Sequence, residues 1–175
     1  MAKSSKDKIA EDTQLILDEL QKNASKSITE IATKLGFSRQ KVWRVIKNLE
    51  SDHTIWGYTA IVDEEKKGLT NYIVLIKRST NPIDKKLTDL IITRKLEELV
   101  PKTNMVIEHS YYTHGNYDWV ICFKTDNIKN AKLFCEILNK TYEGYIKDFD
   151  LIQIIFPIVI QGILNPDSEK LNQFL

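Results

Sequence analysis

The sequence predicts an α+β chain, with a short all-helical unit first and a sheet-forming unit after it. Three observations predict this. From Ile28 to Lys47 (ITEIATKLGFSRQKVWRVIK), apolar residues recur at helical spacing on both sides of Gly36. From Gly68 onward the pattern becomes strand, helix, strand, strand, helix, strand. Between them, residues 53–68 (HTIWGYTAIVDEEKKG) alternate Ile55, Tyr58, Ala60 and Val62 in an extended rhythm, with Gly57 as a bend. The expected boundaries are 1–53 for the helical unit, 54–68 for a linker strand and 69–175 for the second unit.

In chain order, Asp12 is the expected N-cap of a first helix with Leu15, Ile16 and Leu20 on its inner face, ending near Asn23. Ser27 and Glu30 form an S-x-x-E capping box that opens the second helix. Gly36 closes that helix, because its C-terminal residue needs a left-handed backbone. A third helix runs from Ser38 to about Glu50, with Val42, Val45, Ile46 and Leu49 turned inward. Two short helices meeting at a sharp angle across a glycine, with a small Ala32 at the approach, form a helix-turn-helix.

The whole chain has 175 residues and a formal net charge of only +1, so there is no global basic field. Charge is concentrated locally. From Ile31 to Leu49 stand Lys34, Arg39, Lys41, Arg44 and Lys47, with no acidic residue among them. A solvated helix face would ordinarily mix in glutamates, whereas an acid-free cationic face suits phosphate. On the outward side of the third helix, Gln40 and Arg44 are the expected base readers, since Arg matches guanine and Gln matches adenine in the major groove. Ser38, Arg39, Lys41 and Lys47 are the expected phosphate contacts. Trp43 either packs on a sugar or thymine methyl or shields the helix junction. The expected partner is double-stranded DNA.

In the second unit, 71–77 is an expected strand and 83–100 a helix, with Pro101 as its stop. Residues 105–112 and 117–124 are two strands, 127–142 is a helix, and 148–156 and 158–164 are closing strands, with Pro157 marking a bulge or edge. This βαββαβ order is the ferredoxin-like split βαβ. In the 117–124 strand, Tyr117, Trp119, Ile121 and Phe123 lie on one face and Val120 and Cys122 on the other. A second apolar face predicts that the sheet meets another sheet, in a homodimer or larger oligomer.

The third helix with its basic face, the WGYTAIVDEEKKG link and the loop Gly115-Asn116-Tyr117-Asp118 together resemble the Lrp/AsnC (feast/famine) regulators. These carry an I-x-GYTA-x-V-D-x-x-x-x-G link and a G-x-Y-D loop. The resemblance covers nearly the whole chain. It implies a winged-type helix-turn-helix followed by a ferredoxin-like effector (RAM) domain, dimers or larger assemblies on a near-palindromic operator, and a link that joins the domains and helps dimerise them. It also implies a small-molecule effector, such as an amino acid, at Gly115, Asn116, Tyr117 and Asp118. Asp118 would accept the ammonium, and the backbone at Gly115 would meet the carboxylate. The alternative for this loop is structural: Gly-Asn is a common turn, and an aspartate there can satisfy local backbone N–H groups. The chain departs from the family pattern at Asp52-His53, where a glycine is usual, at Val45, where an arginine is frequent, and at Ser25 and Lys26.

Other classes are less well supported by the sequence. Phosphate-loop, HExxH and Ser/His/Asp patterns do not occur, and His53, His109 and His114 are scattered, so neither a metal nor a cofactor is expected. Sirohaem decarboxylases resemble the same architecture, but they would want His or Arg at the pocket instead of a basic third helix. Cys122 and Cys135 sit in apolar runs and are expected to be reduced thiols. The 151–164 stretch is apolar but interrupted and shorter than a membrane span. A cytoplasmic protein without membrane contact is the expectation.

Overall fold

The computed structural model describes residues 5–93 and 105–175. The chain divides into two compact units, Met1–Ile61 and Val62–Leu175. The division falls inside the 54–68 connection.

The first unit is three helices: α1 (Ser5–Lys22), α2 (Ile28–Leu35) and α3 (Arg39–Ser51). Buried Ile16 and Leu20 of α1, Ile31 and Ala32 of α2 and Val42 of α3 form its core, with Leu35, Phe37, Val45, Ile46 and Ile55 packed against it. The caps hold these short helices in place. Ser27 Oγ accepts from the Glu30 amide at 3.2 Å, and the Glu30 carboxylate accepts from the Ser27 amide at 2.7 Å. This is the expected capping box, and it satisfies two otherwise orphaned donors. Gly36 has φ 67°, and Ser38 Oγ caps α3 through the Lys41 amide.

Two sequence expectations need correction in this unit. Asp12 lies in the middle of α1 and not at its start, because residues 5–11 continue the helix; its carboxylate is paired with Lys41 instead. Leu15 is exposed, leaving Ile16 and Leu20 as the buried face. In addition, no strand forms over residues 54–62; Glu65–Lys67 make a short 3-10 turn. A strand needs a partner edge, and the unit holding most of this segment is helical. Trp56 is accordingly 96% exposed.

The end of α3 shows what replaces the usual glycine. His53 takes a left-handed backbone, φ 63°, and the chain closes through Ile55 N–H to Leu49 C=O at 2.9 Å. A side chain in that region costs energy that glycine would not. His53→Gly is expected to stabilise the protein by about 0.5–1 kcal/mol. A thermal melt of the full chain that is unchanged or lowered would contradict this.

The second unit is built on a four-stranded antiparallel sheet in the order β2-β3-β1-β4, from β1 (Thr70–Arg78), β2 (Val106–Tyr112), β3 (Trp119–Thr125) and β4 (Ile146–Gln153). Helices α4 (Lys85–Ile92) and α5 (Ile128–Thr141) complete the ferredoxin-like order. Asp84 caps α4 through the Leu87 amide at 2.8 Å. The remainder of the helix expected over 83–100, and Pro101, lie outside the described residues. Tyr72, Val74 and Ile76 of β1 and Ile121 and Phe123 of β3 alternate onto one sheet face. There they bury against Leu87 of α4 and Ala131, Phe134, Cys135 and Leu138 of α5.

Residues of the opposite parity form the outer face. Ile73 and Leu75 of β1 stand beside Cys122 and Val120 of β3 and Ile152 of β4, all half-buried or exposed. His109 and Tyr111 of β2 extend it, their rings stacked at 5.5 Å. Tyr117 does not share the Trp119 face as expected. The chain is irregular there, and the Tyr117 hydroxyl reaches Asp150, which pairs across the sheet with Leu75.

The apolar tail also differs from expectation. The 158–164 stretch is not one strand but a hairpin, β5 (Val159–Ile160) and β6 (Ile163–Leu164), in a separate two-stranded sheet. Gln161 and Gly162 both have positive φ, 49° and 81°. That pair makes the mirror-type turn favoured in two-residue hairpins.

Candidate nucleic-acid interface

The helix-turn-helix sets α3 with one side in the core and the other in water. Val42 and Leu49 are buried, and Val45 and Ile46 half-buried. Ser38, Arg39, Gln40, Trp43, Arg44 and Lys47 are exposed, so six of the seven predicted DNA-facing side chains share the open side. Trp43 is 51% exposed, an unusual placement for so large an apolar ring and a suitable one for contact with a sugar or base.

Lys41 differs. Its ammonium is paired with the Asp12 carboxylate of α1 and lies 3.7 Å from the centre of the Phe37 ring. The side chain thus ties α1 to α3, while its backbone N–H belongs to the Ser38 cap. Two further lysines carry internal partners. Lys34 meets Glu19 at 2.8 Å and Lys47 meets Glu50 at 2.6 Å. Among the described residues, Arg39 and Arg44 have no carboxylate partner. Their charge faces solvent undiminished, which makes them the strongest anion-seeking groups on the helix.

Glu19 was not anticipated from the sequence. The residue is 4% exposed, and its carboxylate gathers Lys26 at 2.7 Å, Lys34 and, at 3.4 Å, Lys22. The hydrogen bonds from Lys26 and then Lys34 hold its pKa down, from an ordinary 4.5 to about 2. The signal was present, since position 19 falls between the apolar core positions 16 and 20. A group whose pKa is depressed by folding stabilises the fold above its unfolded value and loses that contribution as pH falls through the folded one. Replacing Glu19 by Gln is therefore expected to lower the melting temperature of the full chain above about pH 4.5, with the gap closing toward pH 2. An equal gap across that range would contradict the pairing.

The 115–118 loop is held by hydrogen bonds to Thr113 and to the backbone of β1. The Thr113 amide donates to the Asp118 carbonyl at 2.8 Å, and the Asp118 amide donates to the Ile76 carbonyl at 2.9 Å. Thr113 Oγ1 donates to the Tyr117 carbonyl at 2.7 Å. Asp118 Oδ2 accepts from the Arg78 amide at 2.9 Å, where the β1–β4 register shifts between Lys77 and Arg78. Gly115 and Asn116 are exposed. Tyr117 donates its hydroxyl to Asp150 at 2.6 Å, and the Lys77 ammonium lies 5.1 Å from its ring centre. That hydroxyl is harder to ionise than usual, first because of the Asp150 hydrogen bond. Tyr117 and Asp118 thus engage different partners, and one Asp118 oxygen is committed to the backbone.

Of the two thiols, Cys135 is buried and pushed up to about 11 by desolvation, so it is an inert core residue. The described residues hold no cluster of metal-ligating side chains and no helix long and apolar enough to cross a membrane.

Residues 12–55 match the winged helix-turn-helix DNA-binding family. The chain is 28% identical over 138 residues to an uncharacterized HTH-type transcriptional regulator, PH0045, of Pyrococcus horikoshii, covering 77% of this chain and 82% of that protein. It superposes on an AsnC family transcriptional regulator from Agrobacterium tumefaciens with a TM-score of 0.62 at 21% identity, over 89% of this chain and 95% of that one. It also superposes on a feast or famine regulatory protein, Rv3291c, from M. tuberculosis in complex with L-methionine, with a TM-score of 0.65 at 20% identity, over 85% and 94% of the two chains. The chain thus has the fold of the Lrp/AsnC, or feast/famine, regulators, with a winged helix-turn-helix ahead of a ferredoxin-like domain.

Proposed function

We propose that this protein is a sequence-specific, DNA-binding transcription regulator of the cytoplasm, acting as a homodimer or larger homo-oligomer and not as an enzyme. The observation that carries this reading is the exposed side of α3 from Arg39 to Lys47, a run without acidic residues. There Arg39, Gln40, Arg44 and Trp43 stand together on a helix-turn-helix matched to a DNA-binding family. Gln40 and Arg44 read base edges. Ser38, Arg39 and Lys47 meet phosphates, while Lys41 holds the start of the helix through its Asp12 pair and the Ser38 cap.

The outer sheet face supports self-association. Ile73, Leu75, Val120, Cys122 and Ile152 form an apolar surface on the side away from α4 and α5, and such a face is commonly covered by a second sheet. The boundaries proposed for the working parts are 1–53 for DNA binding, 54–68 for the link and 69–175 for effector response and assembly. A small metabolite such as an amino acid is the proposed effector at Gly115, Asn116, Tyr117 and Asp118. The M. tuberculosis protein of this fold holds L-methionine.

A symmetric pair places its recognition helices about one DNA turn apart, roughly 34 Å, or a multiple of it. Inserting five base pairs between the half-sites of the operator should abolish tight binding, and inserting ten should restore part of it. Indifference to the insertion in a titration of the full chain would overturn the paired reading.

A further inference from the structure

We propose that Glu50 is a positioning residue that withholds Lys47 from DNA, and that Tyr58 in the interdomain link holds Glu50 in place to do so. The proposal rests on the DNA-binding reading of α3 and deepens it. Lys47 stands on the open side of the recognition helix, one turn beyond Arg44 and Trp43. Its ammonium meets Glu50 Oε2 at 2.6 Å, and the other carboxylate oxygen, Oε1, accepts the Tyr58 hydroxyl at 3.2 Å. Glu50 is the only acidic residue of α3. Its carboxylate therefore occupies, from within the protein, the place that a DNA phosphate would take beside Lys47. The two anions compete for one cation.

Tyr58 makes that competition sensitive to the link. It lies in a stretch without helix or strand, two residues after the almost fully exposed Trp56. It reaches back across eight residues to the last turn of α3. A carboxylate held by two donors has less freedom to turn away from Lys47 than one held by a single lysine. When the link departs from this position, Glu50 loses its second donor, and Lys47 exchanges Glu50 for phosphate more readily. The position of the link is then read by the recognition helix as a change in available positive charge.

The test is a titration of full-length protein against its operator duplex over a series of salt concentrations. Glu50→Gln should raise affinity roughly two- to fivefold, the range of an exposed ion pair. It should also steepen the slope of log K against log salt by up to about 0.9, one phosphate contact. Tyr58→Phe should shift both quantities in the same direction by less, and should add nothing to Glu50→Gln. In a Lys47→Ala background, Glu50→Gln should lose most of its effect. If it keeps the full effect there, Glu50 acts by general repulsion of DNA and the proposal fails. If wild type binds its operator but Glu50→Gln matches it in affinity and slope, the proposal also fails while the DNA-binding reading stands. Absence of operator binding by wild type would instead overturn the reading on which the proposal rests.

Discussion

Arg44→Ala is expected to lower binding to the preferred operator by about 1–3 kcal/mol, and to erase the base preference at one position of each half-site. The size follows from the state of the side chain. Arg44 is exposed on the open side of α3 and has no carboxylate partner among the described residues, so its removal frees no competing interaction. Its planar guanidinium can meet guanine O6 and N7 with two parallel N–H bonds, a geometry that lysine cannot copy. Arg44→Lys should therefore retain much of the salt dependence but little of the preference. The measurement is a competition titration in which each operator position is varied in turn. A uniform loss over all sequences would move Arg44 from the bases to the backbone.

A larger effect is expected in the second unit, on stability. Phe134 of α5 is fully buried, and its ring centre lies 4.6 Å from that of Phe123, itself stacked with Tyr72. Phe134→Ala removes that packing and leaves a void between α5 and the sheet, costing about 3–5 kcal/mol. Against a usual domain stability of about 5–15 kcal/mol, this leaves a marginal fold. Urea unfolding followed at fixed chain concentration should show a lowered midpoint with little change in slope. A shift worth less than about 1 kcal/mol would mean that Phe134 is not the centre of this core.

The features legible in the sequence were those with local causes. The Ser27–Glu30 capping box and Gly36 each act within a few residues, and both are present where the pattern puts them. On β3, alternation put Trp119, Ile121 and Phe123 on one face, as found, but wrongly added Tyr117, which lies before the strand. The start of α1 was misplaced because Asp12 has the chemistry of a cap, yet its partner, Lys41, lies 29 residues away and is visible only in the folded chain. The same holds for Glu19 with Lys26 and Lys34. The 158–164 hairpin was missed because its turn, Gln161-Gly162, sits inside an apolar run and differs from the familiar Asn-Gly signal. On α3, periodicity correctly divided the inward from the outward side chains. It could not show that Lys41 and Lys47 already hold carboxylates, which separates them from the two arginines, without a carboxylate partner among the described residues.

That division of labour on α3 is most directly tested by selection of duplexes from a randomised pool with the full-length protein at roughly physiological salt. Recovery of a near-palindrome is predicted, its half-sites about one helical turn apart or a multiple of it. An Arg44→Ala protein should recover the same frame with one position per half-site relaxed. Recovered sequences indistinguishable from the starting pool would contradict sequence-specific reading by this helix.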